Sequence, residues 1–149
     1  MPVYQRSVFI PAPIGEVYNF HENPHNIRRV CPKYIEVIAV EANSNANADD
    51  QFTLKLKIFG FPVHWRGTWK TVEKPTHLVD IASIFPFRSW RHEHQFEDKA
   101  SSTLMTDRVT YSLPFGLLGT VLGATIFRLQ LIIMFRGRHA ATLRYFSSK

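Results

Sequence analysis

The chain has 149 residues, of which 45% are hydrophobic and 13% aromatic, and this is the size and composition of one folded soluble domain. Its formal net charge is +6, but the basic residues show no zinc-finger spacing and no dense cluster, so we expect no nucleic-acid partner. The single cysteine, Cys31, excludes an internal disulfide and fits a reducing compartment. Because the N-terminus lacks a long apolar run, we expect a cytoplasmic protein with no signal peptide and one domain over residues 1–149.

The N-terminal part of the chain predicts one strand followed by two short helices. Residues 2–10 alternate loosely between apolar and polar side chains, as a strand does. Pro13 suits the first turn of a helix, and Asn23 followed by Pro24 is an N-cap with proline at the first helical position. Pro32 then ends the second helix.

Six more strands are predicted before residue 114. Each is a run of alternating or β-branched residues bounded by a short turn, and short turns join antiparallel neighbours into a meander. In chain order the strands are YIEVIAVEA, QFTLKLKIFGF, VHWRGTWKTVE, HLVDIASI, RSWRHEHQFED and STLMTDRVTYSL.

The last element is predicted as one long helix over residues 115–146, which contain no proline. Apolar residues recur there at helical spacing, and we expect this stripe to face the core. The run 115–135 is apolar enough to raise the question of a membrane span, but Arg128 interrupts it at an insertion cost of about 2.5–3.5 kcal/mol, which favours a core helix. The stripe consists of Leu118, Leu122, Ile126, Leu129, Ile133, Ala140 and Leu143.

This order of elements predicts an α+β fold in which a bent seven-stranded antiparallel sheet wraps around the long C-terminal helix, with two short helices after the first strand. Sheet and helix need not touch everywhere, so a cavity between them is expected. No internal repeat and no linker divides the chain.

Two histidines lie one residue apart on the strand RSWRHEHQFED and share the face of its large apolar residues. Strand periodicity places His92 and His94 on the same side as Trp90 and Phe96. This side is expected to face inward, because the apolar face of a half-buried strand packs on the core. The two imidazoles should therefore lie on the inner wall of the sheet.

The following strand carries an acid on its inner face. The inward parity of Val109 and Tyr111 takes Asp107 inside with them. A tight connection that pairs Glu97 with Ser102 sets His92 opposite Asp107, and a loop two residues longer sets His94 opposite it instead. Either register brings an imidazole within hydrogen-bonding reach of the carboxylate.

Four interpretations of this polar cluster remain open. It is a buried hydrogen-bonded network that fixes the strand register, a polar anchor for a ligand in an aromatic-lined pocket, or an acid–base pair with His92, His94 and Asp107 as catalytic candidates. The fourth is a metal site with two histidine ligands and Asp107 as the third. Because neither a metal-binding cysteine nor an HExxH motif supports the fourth, we expect no metal and no cofactor.

The predicted ligand-binding wall combines the polar cluster with aromatic side chains of inward parity, which are typical of plain core and in a cavity-forming fold also line the pocket. Its residues are Trp65, Trp69, Trp90, His92, His94, Asp107 and Tyr111.

Several segments spread over nearly the whole chain carry a family resemblance. They are PAPIGEVYNFHENPHNIRRVCP, FGFPVHW, FPFRSWRHEHQFE, TLMTDRVTYSLPFG and RGRHAATLRYF. The chain resembles the SRPBCC superfamily, the START and birch-pollen-allergen type of helix-grip fold, which includes polyketide cyclases/dehydrases and coenzyme Q-binding proteins. The nearest likeness is to small bacterial ligand-binding members of that superfamily. The resemblance implies a hydrophobic pocket between sheet and helix that takes lipids, isoprenoids, steroids or polyketides, and it transfers no catalytic residue.

We therefore predict a non-enzymatic binding or carrier protein for a hydrophobic small molecule, with a role such as lipid transport. The alternative is a cyclase/dehydratase-type enzyme, a lyase or isomerase, that uses a His–Asp pair in the cavity. A third interpretation is peripheral contact of the basic C-terminal helix with an anionic membrane surface, or burial of that helix against a second subunit. The sequence leaves the ligand and the oligomeric state undetermined.

Overall fold

A computed structural model describes all residues, Met1 to Lys149. Strand β1 (Val3–Ile10) is followed by helix α1 (Ile14–Glu22) and a 3₁₀ helix (Pro24–Arg29). Strands β2 (Ile35–Glu41), β3 (Gln51–Ile58), β4 (Phe61–Glu73), β5 (His77–Ser83), β6 (Ser89–Lys99) and β7 (Ser102–Ser112) come next. Helices α2 (Gly116–Ala124) and α3 (Ile126–Ser147) complete the chain.

The seven strands form one antiparallel sheet in the order β1-β7-β6-β5-β4-β3-β2. Strands β2 to β7 are each paired with their neighbour in sequence, and β1 pairs with β7, so that β1 and β2 are the two edge strands. The predicted fold class is therefore confirmed, with a sheet that curves around the C-terminal helix. The N-cap prediction also holds, since the Asn23 side chain accepts a hydrogen bond from the His25 amide at 3.1 Å, although the helix it caps is 3₁₀ rather than α.

The turn between β6 and β7 is shorter than the tight connection that the sequence suggested. Lys99 pairs with Ser102, so only two residues form the turn, and Ala100 takes a positive φ of 67°. The Asp98 carboxylate accepts a hydrogen bond from the Ala100 amide at 2.9 Å and so stabilises this turn. The expected pairing of Glu97 with Ser102 is wrong, because Glu97 lies opposite Leu104.

The C-terminal helix is divided at Thr125, where the prediction had one continuous helix. The hydroxyl of Tyr111 donates to the Gly123 carbonyl at 2.5 Å, and the Thr125 hydroxyl donates to the Val121 carbonyl at 2.7 Å. In a continuous helix such carbonyls accept from the amides four residues on. Competition by two hydroxyls for the carbonyls of residues 121 and 123 accounts for the break between α2 and α3.

The buried face of α3 differs from the stripe that the sequence predicted. Leu131, Phe135 and His139, spaced four residues apart, are buried against the sheet. Leu129 and Ile133 of the predicted stripe are instead more than half exposed, at 59% and 54%. The prediction followed the more continuous apolar repeat and so selected the wrong phase of the helix.

Helix α2 and the first turn of α3 present apolar side chains to solvent. Leu117 is 82% exposed and Ile126 is 63% exposed, so this part is not the core helix that was expected. By length and composition the stretch Gly116–Ser147 could cross a membrane. Of its apolar 18-residue segment, 22% is buried. The remaining exposed large apolar residues here are Phe115, Leu118, Val121, Leu129 and Ile133.

Candidate functional site

The strand register brings two acids and two imidazoles together on the concave face of the sheet. Asp80 of β5 lies directly opposite His92 of β6, and His94 lies directly opposite Asp107 of β7. Because alternate residues of neighbouring strands share a face, all four side chains point to the interior, and each is at most 5% exposed. Of the two registers left open by the sequence, the one with His94 opposite Asp107 is present.

Asp107 is the centre of this cluster and contacts three imidazoles. Its Oδ1 accepts a hydrogen bond from His92 Nε2 at 3.0 Å, and its Oδ2 accepts one from His139 Nε2 at 2.5 Å. His94 Nδ1 lies 2.6 Å from Oδ1, but its N–H is poorly aligned with that oxygen, so this is a close polar contact rather than a full hydrogen bond. The buried carboxylate is thus well solvated by protein donors.

The pKa shifts of these groups follow from burial and from their mutual contacts. Burial alone would raise the pKa of Asp107, but the positive potential of His94 and hydrogen bonds from His139 and His92 outweigh it and hold that pKa well below its usual value. Burial lowers the pKa of His92, and burial together with repulsion from His92 lowers the pKa of His94. Asp107 is therefore ionised at neutral pH, while His92 and His94 are neutral.

Asp80 is a second buried acid with a different environment. Its nearest charged or titratable partner is His92 Nδ1, at 3.8 Å from Asp80 Oδ1, which is too long for a hydrogen bond. Burial raises the pKa of Asp80 to about 7. Asp107 is thus ionised at neutral pH, whereas Asp80 exists in both its protonated and its ionised form there.

A cavity of about 120 Å³ lies against this cluster, between the sheet, helix α3 and the 3₁₀ helix. Sixteen of its 25 lining residues are hydrophobic. The polar part of the wall consists mainly of Asp80, His92, His94 and His21 with Arg138 of α3. The apolar part includes Phe20, Ile27, Val30, Ile35, Phe52, Leu54, Leu56, Ile58, Ile84, Phe87, Leu131 and Met134 with three tryptophans.

The predicted ligand-binding wall divides into residues that line the cavity and residues that do not. Trp65, Trp69 and Trp90 line it together with His92 and His94. Asp107 lies behind the histidines, and Tyr111 points to helix α2, where its hydroxyl holds the Gly123 carbonyl. The part played by these side chains in ligand binding stays a prediction.

Four residues of the site were missed by sequence reasoning, and one of them is His21 of helix α1. Asp80 shares the parity of the buried Leu78, so the alternation of β5 carried the signal for it. His139 continues the four-residue spacing of Leu131 and Phe135, but the wrong helix phase concealed it. Arg138 is half-buried and lines the cavity, and it follows from no periodicity in the sequence.

Cys31 lines the cavity and is a free thiol. Burial raises its pKa, although the nearby Arg138 charge opposes the shift, so the thiolate is scarce at neutral pH.

No family model and no curated protein matches the chain by sequence, whereas solved structures match it over almost its full length. It is similar to a protein from Arthrobacter aurescens, at 13% identity and a TM-score of 0.80, covering 99% of this chain and 87% of that one. It is also similar to the di-domain ARO/CYC StfQ from the steffimycin biosynthetic pathway, at 12% identity and a TM-score of 0.77, covering 98% of this chain and 50% of StfQ.

A third similar structure is Ara h 8.0201, at 11% identity and a TM-score of 0.67, covering 99% of each chain. At these identities the likeness is one of fold. In its sheet order, its C-terminal helix and its structural neighbours, the chain therefore has the helix-grip fold that its sequence predicts.

Proposed function

We propose that this protein binds a hydrophobic small molecule, of the lipid, isoprenoid or polyketide-like class, in the cavity between sheet and helix α3. The observation that carries the proposal is the cavity itself, whose wall is mostly apolar and has one convergent polar patch. Such a composition is typical of small-molecule sites, in which the apolar wall supplies affinity and the polar groups fix orientation. The helix-grip likeness to proteins such as StfQ and Ara h 8.0201 supports the same class of function.

The size of the cavity limits what can be enclosed. Its 120 Å³ is close to the volume of engineered apolar cavities that hold a benzene ring, about 150 Å³. A single ring or a short branched chain therefore fits inside, and a longer ligand extends through the opening beside the 3₁₀ helix. We propose that the protein is a carrier. The apolar end of the ligand lies inside the cavity, and a polar group of the ligand contacts His92 and His94.

A bulky side chain in the wall of the cavity is expected to block binding. Ile27 of the 3₁₀ helix is partly buried and lines the cavity, so Ile27→Trp should weaken binding of the fluorescent probe 1-anilinonaphthalene-8-sulfonate at least ~10-fold, or about 1.4 kcal/mol. The measurement is a fluorescence titration, with native mass spectrometry of the purified protein to detect co-purified ligand. Ile38→Trp, at a half-exposed position outside the cavity, is the matched control. Equal affinity in both variants would contradict the proposal.

A second candidate function is acid–base catalysis of the cyclase/dehydratase type. His94 is neutral, lines the cavity and is held by an ionised carboxylate, an arrangement that suits a general base. His94→Gln should then reduce turnover of a polyketide-like substrate by at least ~100-fold while probe affinity changes little. The measurement is substrate consumption followed by mass spectrometry. Absence of turnover by the unaltered protein, or parallel loss of probe binding, would count against catalysis.

We also propose contact between helix α2 and an anionic membrane surface. The exposed apolar residues of α2 and the net charge of +6 are the combination that favours such docking. Flotation with vesicles containing phosphatidylglycerol should recover the protein at low salt, and Leu117→Asp should abolish recovery. Phe59→Asp makes the same kind of change at an apolar residue of the β3–β4 turn that is 73% exposed, and it should leave flotation unchanged. No association of the unaltered protein at low salt would exclude this contact.

A further inference from the structure

We propose that Asp80, His92 and His94 form a binding site for one divalent transition-metal ion at the wall of the cavity. This goes beyond the proposed binding of a hydrophobic molecule and does not depend on it. One potential ligand atom of each residue lies within 4.8 Å of those of the other two, and all three side chains are buried. Two imidazoles and one carboxylate are a ligand set that favours Zn²⁺, Fe²⁺ or Co²⁺ over Mg²⁺ or Ca²⁺, which prefer oxygen ligands alone.

The contacts with Asp107 determine which ring nitrogens are free. His92 Nε2 donates its proton to Asp107 at 3.0 Å, so His92 Nδ1 carries the lone pair, and this atom is the one that faces Asp80. His94 Nδ1 is the atom close to Asp107, so His94 Nε2 carries its lone pair. Asp107 is thus not the third metal ligand considered from the sequence. It is the carboxylate behind the ligands, in the position where metal-bound histidines place a hydrogen-bond acceptor.

His139 strengthens this arrangement from the opposite side. It donates to the second oxygen of Asp107 at 2.5 Å, so the carboxylate is fixed between helix α3 and strand β6. Because the carboxylate cannot rotate freely, the two ligand histidines are held in their rotamers before any ion arrives. Such preorganisation reduces the entropy lost when an ion binds.

Asp80 gives an independent reason to expect a cation. A buried carboxylate is costly unless a donor or a positive charge compensates it, and Asp80 has no hydrogen-bond partner, its nearest titratable neighbour being His92 at 3.8 Å. In a tetrahedral Zn²⁺ site with bonds of about 2.0–2.2 Å, ligand atoms lie roughly 3.3–3.6 Å apart. The 3.8 Å between His92 Nδ1 and Asp80 Oδ1 is close to this spacing, and the other ligand atoms, all within 4.8 Å of one another, move together by about 1 Å or less when an ion binds.

The surroundings leave room for a fourth ligand. All three residues line the cavity, so the open coordination position of the ion faces the enclosed space, and a water molecule or a polar atom of a bound molecule can occupy it. Arg138 lines the same wall and its positive charge opposes the ion. With both ionised, the carboxylates of Asp80 and Asp107 outweigh that single positive charge, and the net negative charge favours a cation.

The test uses the full chain without an affinity tag, stripped with EDTA, and titrated with Zn²⁺ by calorimetry and with Co²⁺ by visible absorption. One ion per chain, with Co²⁺ bands of a low-coordinate nitrogen and oxygen site, is the expected result. Asp80→Asn and His92→Gln should each weaken Zn²⁺ binding at least ~100-fold, with circular dichroism confirming the fold. Asp80→Asn serves where His92→Gln unfolds, because Asp80 makes no hydrogen bond in the structure.

His64→Gln is the matched control, since His64 is exposed on β4 and faces away from the cluster. It should bind Zn²⁺ like the unaltered protein. The proposal is overturned if no ion binds more tightly than about 1 mM, if Asp80→Asn keeps full affinity, or if His64→Gln loses it. Because the fluorescent-probe titration of Ile27→Trp contains no metal, failure of this site and failure of hydrophobic ligand binding are separate results.

Discussion

Replacing Asp107 by Asn is expected to lower the free energy of unfolding by about 3–5 kcal/mol, the loss typical when one member of a buried ionic cluster is removed. Asn has the same shape, but its amide nitrogen replaces one of the two oxygens that accept from His92 and His139. A buried N–H of one imidazole would then face another donor. Urea unfolding at pH 7, followed by circular dichroism, measures the difference.

The pH dependence of this effect follows from the lowered pKa of Asp107. A carboxyl group whose pKa is lower in the folded state contributes stability above its unfolded pKa of about 3.9, and the contribution is lost as the pH falls through the folded value. The gap between the unaltered protein and Asp107→Asn should therefore be full at pH 7 and shrink below about pH 4. Glu97→Gln, the same change at an exposed position of β6, should alter stability by less than about 0.5 kcal/mol. A comparable loss in both variants would show that the cluster has no special role.

Strand periodicity predicts this cluster well because a β-strand exposes alternate residues to opposite faces. The two-residue period is fixed by backbone geometry, so the inward parity of His92 and Asp107 follows from the large apolar residues beside them. The relative register of two strands is less determined. It depended on the turn after Asp98, where one side-chain hydrogen bond and one positive φ at Ala100 shorten the loop.

Helix periodicity was less informative, for a physical reason. Helices α2 and α3 are apolar on more than one side, so the sequence offers two stripes, and composition alone cannot show which one meets the sheet. The buried stripe includes His139, a polar residue whose burial is explained only by its hydrogen bond to Asp107. Sites assembled from polar residues on separate elements therefore depend on tertiary contacts that no single element contains.

Gly67→Ala is expected to lower the free energy of unfolding by about 1–3 kcal/mol and to reduce the cavity. Gly67 of β4 lies opposite Phe52 of β3, and the Phe52 ring lies over the glycine. A Cβ at this position would be 2.1 Å from Phe52 Cζ, far closer than van der Waals contact allows. The ring must move, and because Phe52 lines the cavity, a shift of the ring toward the enclosed space reduces the cavity. Binding of the fluorescent probe should weaken together with stability, as measured by titration and urea unfolding.

Two further variants make this prediction specific to the contact between Gly67 and Phe52. Gly15→Ala, in helix α1 with no atom within 4 Å of the added Cβ, should be neutral or stabilising by up to about 1 kcal/mol. Phe52→Leu combined with Gly67→Ala should cost less than the sum of the single changes, because the smaller side chain leaves room for the new methyl group. Additive effects in that pair would show that the strain is not taken up by the Phe52 ring.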